Sequence, residues 1–257
     1  MNVIDAHAHI ITFGGIENSK DEIRSALEMY PLRRVYLSAL EMDSYCPEEE
    51  EINELNAYAY DFCKEDPKRL KAYCYLNPAL PNAVDILKSG VEEHGAVGVK
   101  LWLATYCDDI SVNRIAEACI GYDIPILIHA FQKYNGLLPN ENTGYNVAVL
   151  ANRYPEARII MAHFAGDAYH GIKPVRYCKN VWTDFSGTNI RAGELDYTVK
   201  LLGAQRVLFG TDMPPAPFVT NLGIVQDADI SESEKQDILW RNACRLFRDP
   251  IDEEVPV

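Results

Sequence analysis

The sequence lacks the features that mark several classes of protein. No apolar run approaches the roughly 20 residues that a membrane-spanning helix needs, and no cysteine pair has C-x-x-C spacing. Positive charge is also scarce, because 24 Lys and Arg residues stand against 38 Asp and Glu residues, a formal net charge of -14. An acidic surface repels phosphate backbones and anionic lipids, so we expect neither nucleic acid nor a membrane as a partner.

The seven cysteines are odd in number and scattered, which is typical of reduced thiols. The N-terminal residues show no basic region followed by a long apolar segment, so we expect a cytoplasmic protein. Hydrophobic residues make up 48% of the 257 residues, which predicts a folded chain with a sizeable core. No low-complexity linker divides it, and we therefore expect one domain over residues 1–257.

Short β-rich runs alternate with amphipathic helical patterns along the whole chain. One helical pattern places Ile52, Leu55, Ala59 and Phe62 on a single face. The predicted strands are 3–10, 34–40, 70–78, 96–102, 125–130, 158–164, 181–187 and 207–214. Eight apolar strands that alternate with helices predict an α/β fold, a (β/α)₈ TIM barrel; an open doubly wound sheet is the alternative.

Polar side chains stand near the C-terminal ends of several predicted strands, where such barrels carry their active sites. Four of the six histidines are among them, and the set is His7, His9, His129, His163 and Asp212. Because strand side chains alternate, Asp5, His7 and His9 share one face. A single histidine is more often a hydrogen-bonded core residue, but convergence of four with a carboxylate predicts a site for Zn²⁺, Mn²⁺ or Fe²⁺.

Motifs over the length of the chain resemble those of one family. They are VIDAHAHI, AVGVKLW, PILIHA, IIMAHFAG, VLFGTDMP and ILWRNACRLF. Together they are similar to the amidohydrolase-related (amidohydrolase-2) branch of the metal-dependent amidohydrolase superfamily. The resemblance implies one divalent metal, most often zinc, on His7, His9, His129 and Asp212. It also implies that His163 is catalytic and that Asp212 acts as ligand and base together.

Lys100 is open to several interpretations. In binuclear members of the wider superfamily a fourth-strand lysine is carboxylated and bridges two metals, but in the branch that this chain resembles the lysine usually does not. The alternative is a buried lysine paired with Asp212, with Asp184 or with a substrate carboxylate. Asp5 is expected one layer below the metal, as an anchor for the ligands.

The loops after the strands offer aromatic and cationic residues that would suit a small planar carboxylate. The candidate substrate-binding residues are Lys100, Trp102, Lys133, Tyr134, His170 and Arg191. Apart from Lys100, each of these residues is individually more typical of ordinary surface. His94 is expected at a helix end, away from the barrel mouth.

The leading functional hypothesis is a metal-dependent hydrolase acting on a small, carboxylate-bearing substrate. Nonoxidative decarboxylation of an unsaturated or aromatic carboxylic acid is the close alternative. A TatD-like deoxyribonuclease is disfavoured by Lys100, where that family has a glutamate ligand, and by the negative charge. A non-catalytic metal-binding barrel is disfavoured by the complete set of site residues. The resemblance is also compatible with a homodimer.

Overall fold

The computed structural model describes residues 1–133, 135–136, 138–187 and 191–251. Eight parallel strands lie side by side in chain order. Their bounds are β1 Val3–Ile11, β2 Leu32–Leu40, β3 Leu70–Leu76, β4 Gly98–Leu101, β5 Ile126–Ile128, β6 Ile159–Met161, β7 Val181–Asp184 and β8 Val207–Leu208. Each strand pairs with the next, so the sheet has the strand order of a barrel.

The ring closes where the segment after β8 meets β1. The Ala6 N–H donates to the Phe209 carbonyl (2.9 Å), and the His9 N–H donates to the Met213 carbonyl (2.8 Å). Between these two bonds, the Asp212 N–H donates to the His7 carbonyl at 2.7 Å. The (β/α)₈ barrel is therefore confirmed, and the open doubly wound sheet is wrong.

Helices follow the strands and cover the sheet. They are α1 Ile16–Met29, α2 Glu49–Cys63, α3 Ala83–Glu92, α4 Asn113–Tyr122, α5 Gly144–Arg153, α6 Ala168–Val175, α7 Glu194–Leu202, α8 Phe218–Asp227, α9 Glu232–Gln236 and α10 Asn242–Phe247. The predicted apolar face of α2 is buried, with Ile52 and Phe62 fully inaccessible to solvent. Helices α1, α6 and α8 are additional to the helical patterns of the sequence, which lie at 51–66, 83–95, 111–123, 146–156, 193–205 and 231–247.

The last four strands are shorter than predicted, because the backbone leaves the sheet at the site residues. His129 follows the end of β5, and His163 lies two residues beyond β6. His163 and Asp212 adopt left-handed backbone conformations, with φ of 61° and 68°. A positive φ is incompatible with a continuing strand, so these side chains project from turns at the barrel mouth.

The opposite end of the barrel is closed by the segment after α10. Asp249 accepts hydrogen bonds from Arg34 Nε and from the Tyr36 hydroxyl, both at 3.0 Å. The Tyr36 ring stacks on Phe247 with a centroid distance of 3.8 Å.

Among the described residues no helix combines the length and apolar character needed to cross a membrane. All seven cysteines are free thiols.

Candidate metal centre

Strand β1 brings two imidazoles together inside the barrel. His7 and His9 are both buried, and their Nε2 atoms are 3.0 Å apart. Asp212 Oδ1 lies 3.2 Å from His9 Nε2 and 3.7 Å from His7 Nε2. Three side chains from the two ends of the chain therefore present nitrogen and oxygen atoms to one point, as the strand alternation predicts for the histidine pair.

The outer nitrogen of each imidazole in this pair has an oxygen partner. His7 Nδ1 lies 3.0 Å from Asp184 Oδ2, and His9 Nδ1 lies 3.0 Å from the Ser38 hydroxyl and 3.3 Å from the Ser38 carbonyl. Burial lowers the pKa of His7 to about 3 and also lowers that of His9, so both rings are neutral. We therefore assign the proton of each ring to Nδ1, which leaves both Nε2 atoms as lone-pair donors.

His129 and His163 form a second pair with the same arrangement. His129 Nδ1 and His163 Nε2 face each other at 3.2 Å. Behind them, His129 Nε2 lies 3.2 Å from Glu141 Oε1, and His163 Nδ1 lies 3.0 Å from the Ser186 carbonyl. Burial lowers the pKa of His129 to about 4, so this ring is neutral as well.

The donor set has the chemistry of a divalent metal site. All four imidazoles have an oxygen acceptor behind them, the arrangement that fixes the tautomer of metal-binding histidines. Two unprotonated nitrogens 3.0 Å apart repel each other, whereas a cation about 2.0–2.1 Å from each would bind both. Among the described residues two tight clusters could hold an ion: His7 with His9 and Asp212, and His7 with His163 and Asp184. His129 lies beside His163 and belongs to neither cluster.

Lys100 on β4 is fully buried at this centre. Its Nζ lies 2.9 Å from His7 Nε2, and burial lowers the pKa of Lys100 to about 8, although Asp212 and Asp184 oppose the shift. Within the described part of the chain its hydrogen bond goes to His7 rather than to either carboxylate. The structure thus places a cationic side chain directly beside the imidazole pair.

Asp184 and Ser186 link the two histidine pairs from below. Asp184 Oδ1 accepts hydrogen bonds from the His163 N–H (2.9 Å), the Ser186 N–H (3.0 Å) and the Ser186 hydroxyl (2.5 Å). Burial favours the protonated form, but His7 and these donors hold the pKa of Asp184 well below its usual range. Gly210 permits this packing, since an added Cβ would lie 3.1 Å from His7 Cβ and 3.2 Å from Asp184 Cβ.

Several of these supporting residues are not predicted from the sequence. Ser186 and Glu141 are not among the predicted site residues, and Asp184 is predicted only as a possible partner for Lys100. The signal for two of them was present, since Asp184 and Ser186 stand at the end of β7, where a polar residue predicts a site role. Glu141 lies 12 residues beyond His129 in a loop, and no periodicity points to it.

Asp5 anchors β1 to the segment that follows β8. Its Oδ1 accepts hydrogen bonds from the His7 and Thr211 N–H groups at 3.0 Å, and its Oδ2 lies 2.5 Å from the Thr211 hydroxyl. Burial raises the pKa of Asp5 from 3.8 to about 7 despite these bonds. The carboxyl group therefore holds the ligand strand in place from one layer below.

Stability is expected to depend on the protonation of Asp5. Above pH 3.8 the unfolded chain has lost the Asp5 proton, whereas the folded chain keeps it up to about pH 7. The contribution of this proton to the free energy of unfolding is therefore complete below pH 3.8 and disappears as the pH rises through 7. The difference between the pKa of Asp5 in the unfolded chain and in the folded chain corresponds to about 4 kcal/mol in the free energy of unfolding. Asp5→Asn, which mimics the protonated group, should flatten this slope in urea unfolding between pH 5 and 8. Equal slopes in both proteins would contradict the prediction.

The candidate substrate-binding residues have varied surroundings. Lys133 binds Glu141 (2.8 Å), His170 binds Asp167 (3.0 Å), and the half-exposed Arg191 lies 3.4 Å from Glu194. Trp102 is buried, with its ring centroid 5.8 Å from that of Tyr45. Tyr134 lies outside the described residues. The predicted cationic anchors in the loops thus already have carboxylate partners. His94 stacks on Tyr60 at 4.6 Å, away from the centre.

A family profile described as "Amidohydrolase" matches residues 4–248. The chain belongs to the amidohydrolase family. This confirms the resemblance and the prediction of an enzyme of the hydrolase or lyase type. No curated protein matches this amidohydrolase-family chain.

Solved structures share its fold at low sequence identity. The 2,6-dihydroxybenzoate decarboxylase from Rhizobium is 18% identical, with a TM-score of 0.77 over 96% of this chain and 99% of the other. The dihydroxybenzoic acid decarboxylase from a Polaromonas species, with bound manganese and 2-nitroresorcinol, is 22% identical, with a TM-score of 0.75 over 96% and 97%. The 5-carboxyvanillate decarboxylase from Sphingomonas paucimobilis is 18% identical, with a TM-score of 0.74 over 96% and 99%.

Proposed function

We propose that this chain is a metal-dependent enzyme that decarboxylates a small aromatic or unsaturated carboxylic acid without oxidation. The observation that carries the proposal is the convergence of His7, His9 and Asp212 beside the buried ammonium group of Lys100. A divalent ion and a fixed cation together suit a substrate that carries a carboxylate. The names of the three structural relatives support decarboxylation over hydrolysis, which is the leading hypothesis from the sequence.

The proposed ligands are His7, His9, His129 and Asp212. When bound there, the ion supplies a Lewis acid for a substrate oxygen. Zinc is the metal that the resemblance favours, whereas the Polaromonas relative contains manganese. Both metals are therefore candidates, and the activity of the protein loaded with each metal distinguishes them.

The chain's own side chains then orient the substrate and deliver a proton. Lys100, which lies beside His7, neutralises a negative charge of the substrate. When the bond between the carboxyl carbon and its neighbour breaks, the electron pair stays on that neighbour and CO₂ leaves. A proton must then reach this carbon. His163, held by the Ser186 carbonyl and 8% exposed, is the proposed donor, and it regains its proton from solvent.

Hydrolysis is the second candidate, and the tautomer of His163 favours it. Its Nδ1 lies 3.0 Å from a carbonyl oxygen, so Nε2 is free to accept a proton from water. Asp212 is the second proposed catalytic group, because its carboxylate lies next to the ligand nitrogens. Burial opposes its ionisation, but the adjacent His9, His163 and His7 side chains hold the pKa of Asp212 far below its ordinary value.

A product assay separates the two reactions. Protein loaded with Mn²⁺ or Zn²⁺ is expected to release CO₂ from members of a panel of hydroxybenzoates and unsaturated acids. The same preparations are given lactones and amides, with acid release as the readout. Acid release without CO₂ from any carboxylate would replace the decarboxylase with the hydrolase. Inactivity on both panels at full metal loading would remove the support for either reaction on these substrate classes.

The proposed location and partner of the enzyme follow from its free thiols and its net charge. The free cysteines suit a reducing compartment, and we propose a cytoplasmic location. The proposed partner is a small molecule rather than nucleic acid, since the net charge of -14 opposes binding to phosphate backbones.

A further inference from the structure

Glu141 is a buried carboxylate from the loop after β5, and it contacts a proposed metal ligand. Its side chain is inaccessible to solvent, and Oε1 lies 3.2 Å from His129 Nε2. The same oxygen accepts a hydrogen bond from Lys133 Nζ at 2.8 Å, while Oε2 accepts one from the Leu138 N–H at 3.2 Å. Both carboxylate oxygens are thus occupied by donors, and one of those donors is the imidazole.

The two asparagines that flank Glu141 fix the position of its backbone. Asn140 adopts a left-handed conformation, with φ of 50°, and its Nδ2 donates to the Leu103 and Ala104 carbonyls at 3.1 and 3.0 Å. On the other side, Asn142 Nδ2 donates to the His129 carbonyl at 3.1 Å, and its Oδ1 accepts the Cys107 N–H at 2.7 Å. The loop is therefore attached to the segments that follow β4 and β5, with the carboxylate in contact with His129.

We propose that Glu141 is a positioning residue that sets the tautomer of His129. A carboxylate accepts hydrogen bonds and cannot donate one, so its contact with Nε2 requires the imidazole proton there. Nδ1 is then left with its lone pair, on the side of the ring that faces His163. The inference rests on the proposed metal function, and it assigns His129 Nδ1 as the donor atom toward the ion.

Lys133 takes a different role in this arrangement from the one that the sequence suggests. It is a candidate anchor for a substrate, but its ammonium group lies on the Glu141 carboxylate and 5.1 Å from the centroid of the Phe131 ring. Its ammonium group forms an ion pair with the Glu141 carboxylate, and the same carboxylate oxygen accepts the hydrogen bond from His129 Nε2–H. We therefore place Lys133 behind Glu141 as its charge partner.

The test compares Glu141→Gln with the wild type by metal affinity and by imidazole NMR. The amide cannot accept from both His129 Nε2–H and the Leu138 N–H, so one of the two contacts is lost. We expect affinity for Zn²⁺, measured against a competing chelator, to fall by about 10- to 100-fold. ¹⁵N spectra of the metal-free wild type should show His129 protonated at Nε2, and the variant should show a mixture of tautomers.

Glu194→Gln is the matched control. Glu194 is also a buried carboxylate, and it accepts hydrogen bonds from the Ala168 N–H and from Arg191. This variant should keep the wild-type affinity for Zn²⁺ and the wild-type His129 spectrum. Thermal unfolding of both variants separates a loss of fold from a loss of the tautomer.

The outcomes distinguish this inference from the proposed function. Wild-type protein that binds no metal but has His129 protonated at Nε2 would remove the metal function and leave the positioning role. Wild-type protein with the proton on Nδ1 would overturn the positioning role without any variant. Equal Zn²⁺ affinity and equal spectra in Glu141→Gln and wild type would overturn it as well.

Discussion

Replacing His7 by alanine is expected to abolish both metal binding and turnover. His7 is the residue on which the centre converges, since its Nε2 contacts His9 and Lys100 while its Nδ1 contacts Asp184. Removal of the imidazole takes away one proposed ligand and leaves the Lys100 and Asp184 side chains buried without this partner. The loss of an ion that contributes several kcal/mol to catalysis corresponds to a decrease in kcat/KM of about 10⁴-fold or more.

The metal content of the variant is measured by elemental analysis. Its activity is then measured on the substrate that the panels identify for the wild type. His94→Ala is the matched control, because His94 stacks on Tyr60 away from the centre and its removal should change neither quantity. His7→Ala protein that is folded, by circular dichroism, and still holds one metal per chain would contradict the proposed ligand set. Activity that survives with no metal bound would contradict the metal-dependent reaction itself.

The barrel could be predicted from the sequence because its signals are local and repeated. Each strand is an apolar run and each predicted helix has a buried face, as Ile52 and Phe62 illustrate on α2. The histidine pair on β1 was equally accessible, since alternation along a regular strand fixes the direction of both side chains. Eight repetitions of one unit make errors in any single unit unimportant for the fold.

The turns after the later strands could not be predicted in the same way. His163 and Asp212 reach the centre through left-handed backbone conformations, which follow from contacts with distant residues rather than from local propensity. The His163 N–H, for example, donates to Asp184 on β7, and the Asp212 N–H donates to the His7 carbonyl on β1. These contacts form only once the ring has closed.

The tautomers of the site histidines could not be predicted from the sequence either, because they depend on hydrogen-bond acceptors that the fold brings to each ring. The sequence places histidines at strand ends, but it does not say which nitrogen of each ring carries the proton. That choice depends on Ser38, Glu141, Asp184 and the Ser186 carbonyl, which come from three different parts of the chain. Candidate ligands can therefore be predicted from the sequence, whereas their tautomers can be assigned only from the folded structure.

Asp184→Asn is expected to reverse the tautomer of His7 while preserving the shape of the site. Asp184 Oδ1 accepts from the His163 N–H and from the Ser186 N–H and hydroxyl. The amide oxygen of the variant should take this place, which directs the amide NH₂ toward His7 Nδ1. His7 Nδ1–H then loses its carboxylate acceptor and keeps only the Ser186 hydroxyl, 2.9 Å away. We therefore expect the proton to move to Nε2, so that the lone pair no longer faces His9 and Asp212. Zn²⁺ affinity should fall by about 10- to 100-fold.

Activity should fall further than metal affinity in Asp184→Asn. The contact with the Asp184 carboxylate sets the His7 tautomer, and a wrong tautomer behind a catalytic site costs up to about 10⁴-fold in rate. We expect kcat to decrease by about 10³-fold at saturating metal, with KM changing little. Asp249→Asn is the matched control, because Asp249 is hydrogen-bonded to Arg34 and Tyr36 at the closed end of the barrel.

The two aspartate variants separate a chemical effect from a structural one. Asp249→Asn should lower the free energy of unfolding by about 1–3 kcal/mol, since it weakens a charged hydrogen bond, and leave kcat unchanged. Asp184→Asn should have a stability cost of similar size, and its ¹⁵N spectrum should show His7 protonated at Nε2. Wild-type kcat in a folded Asp184→Asn protein would mean that the tautomer of His7 does not control the reaction. The proposed ligation through His7 Nε2 would then have to be abandoned.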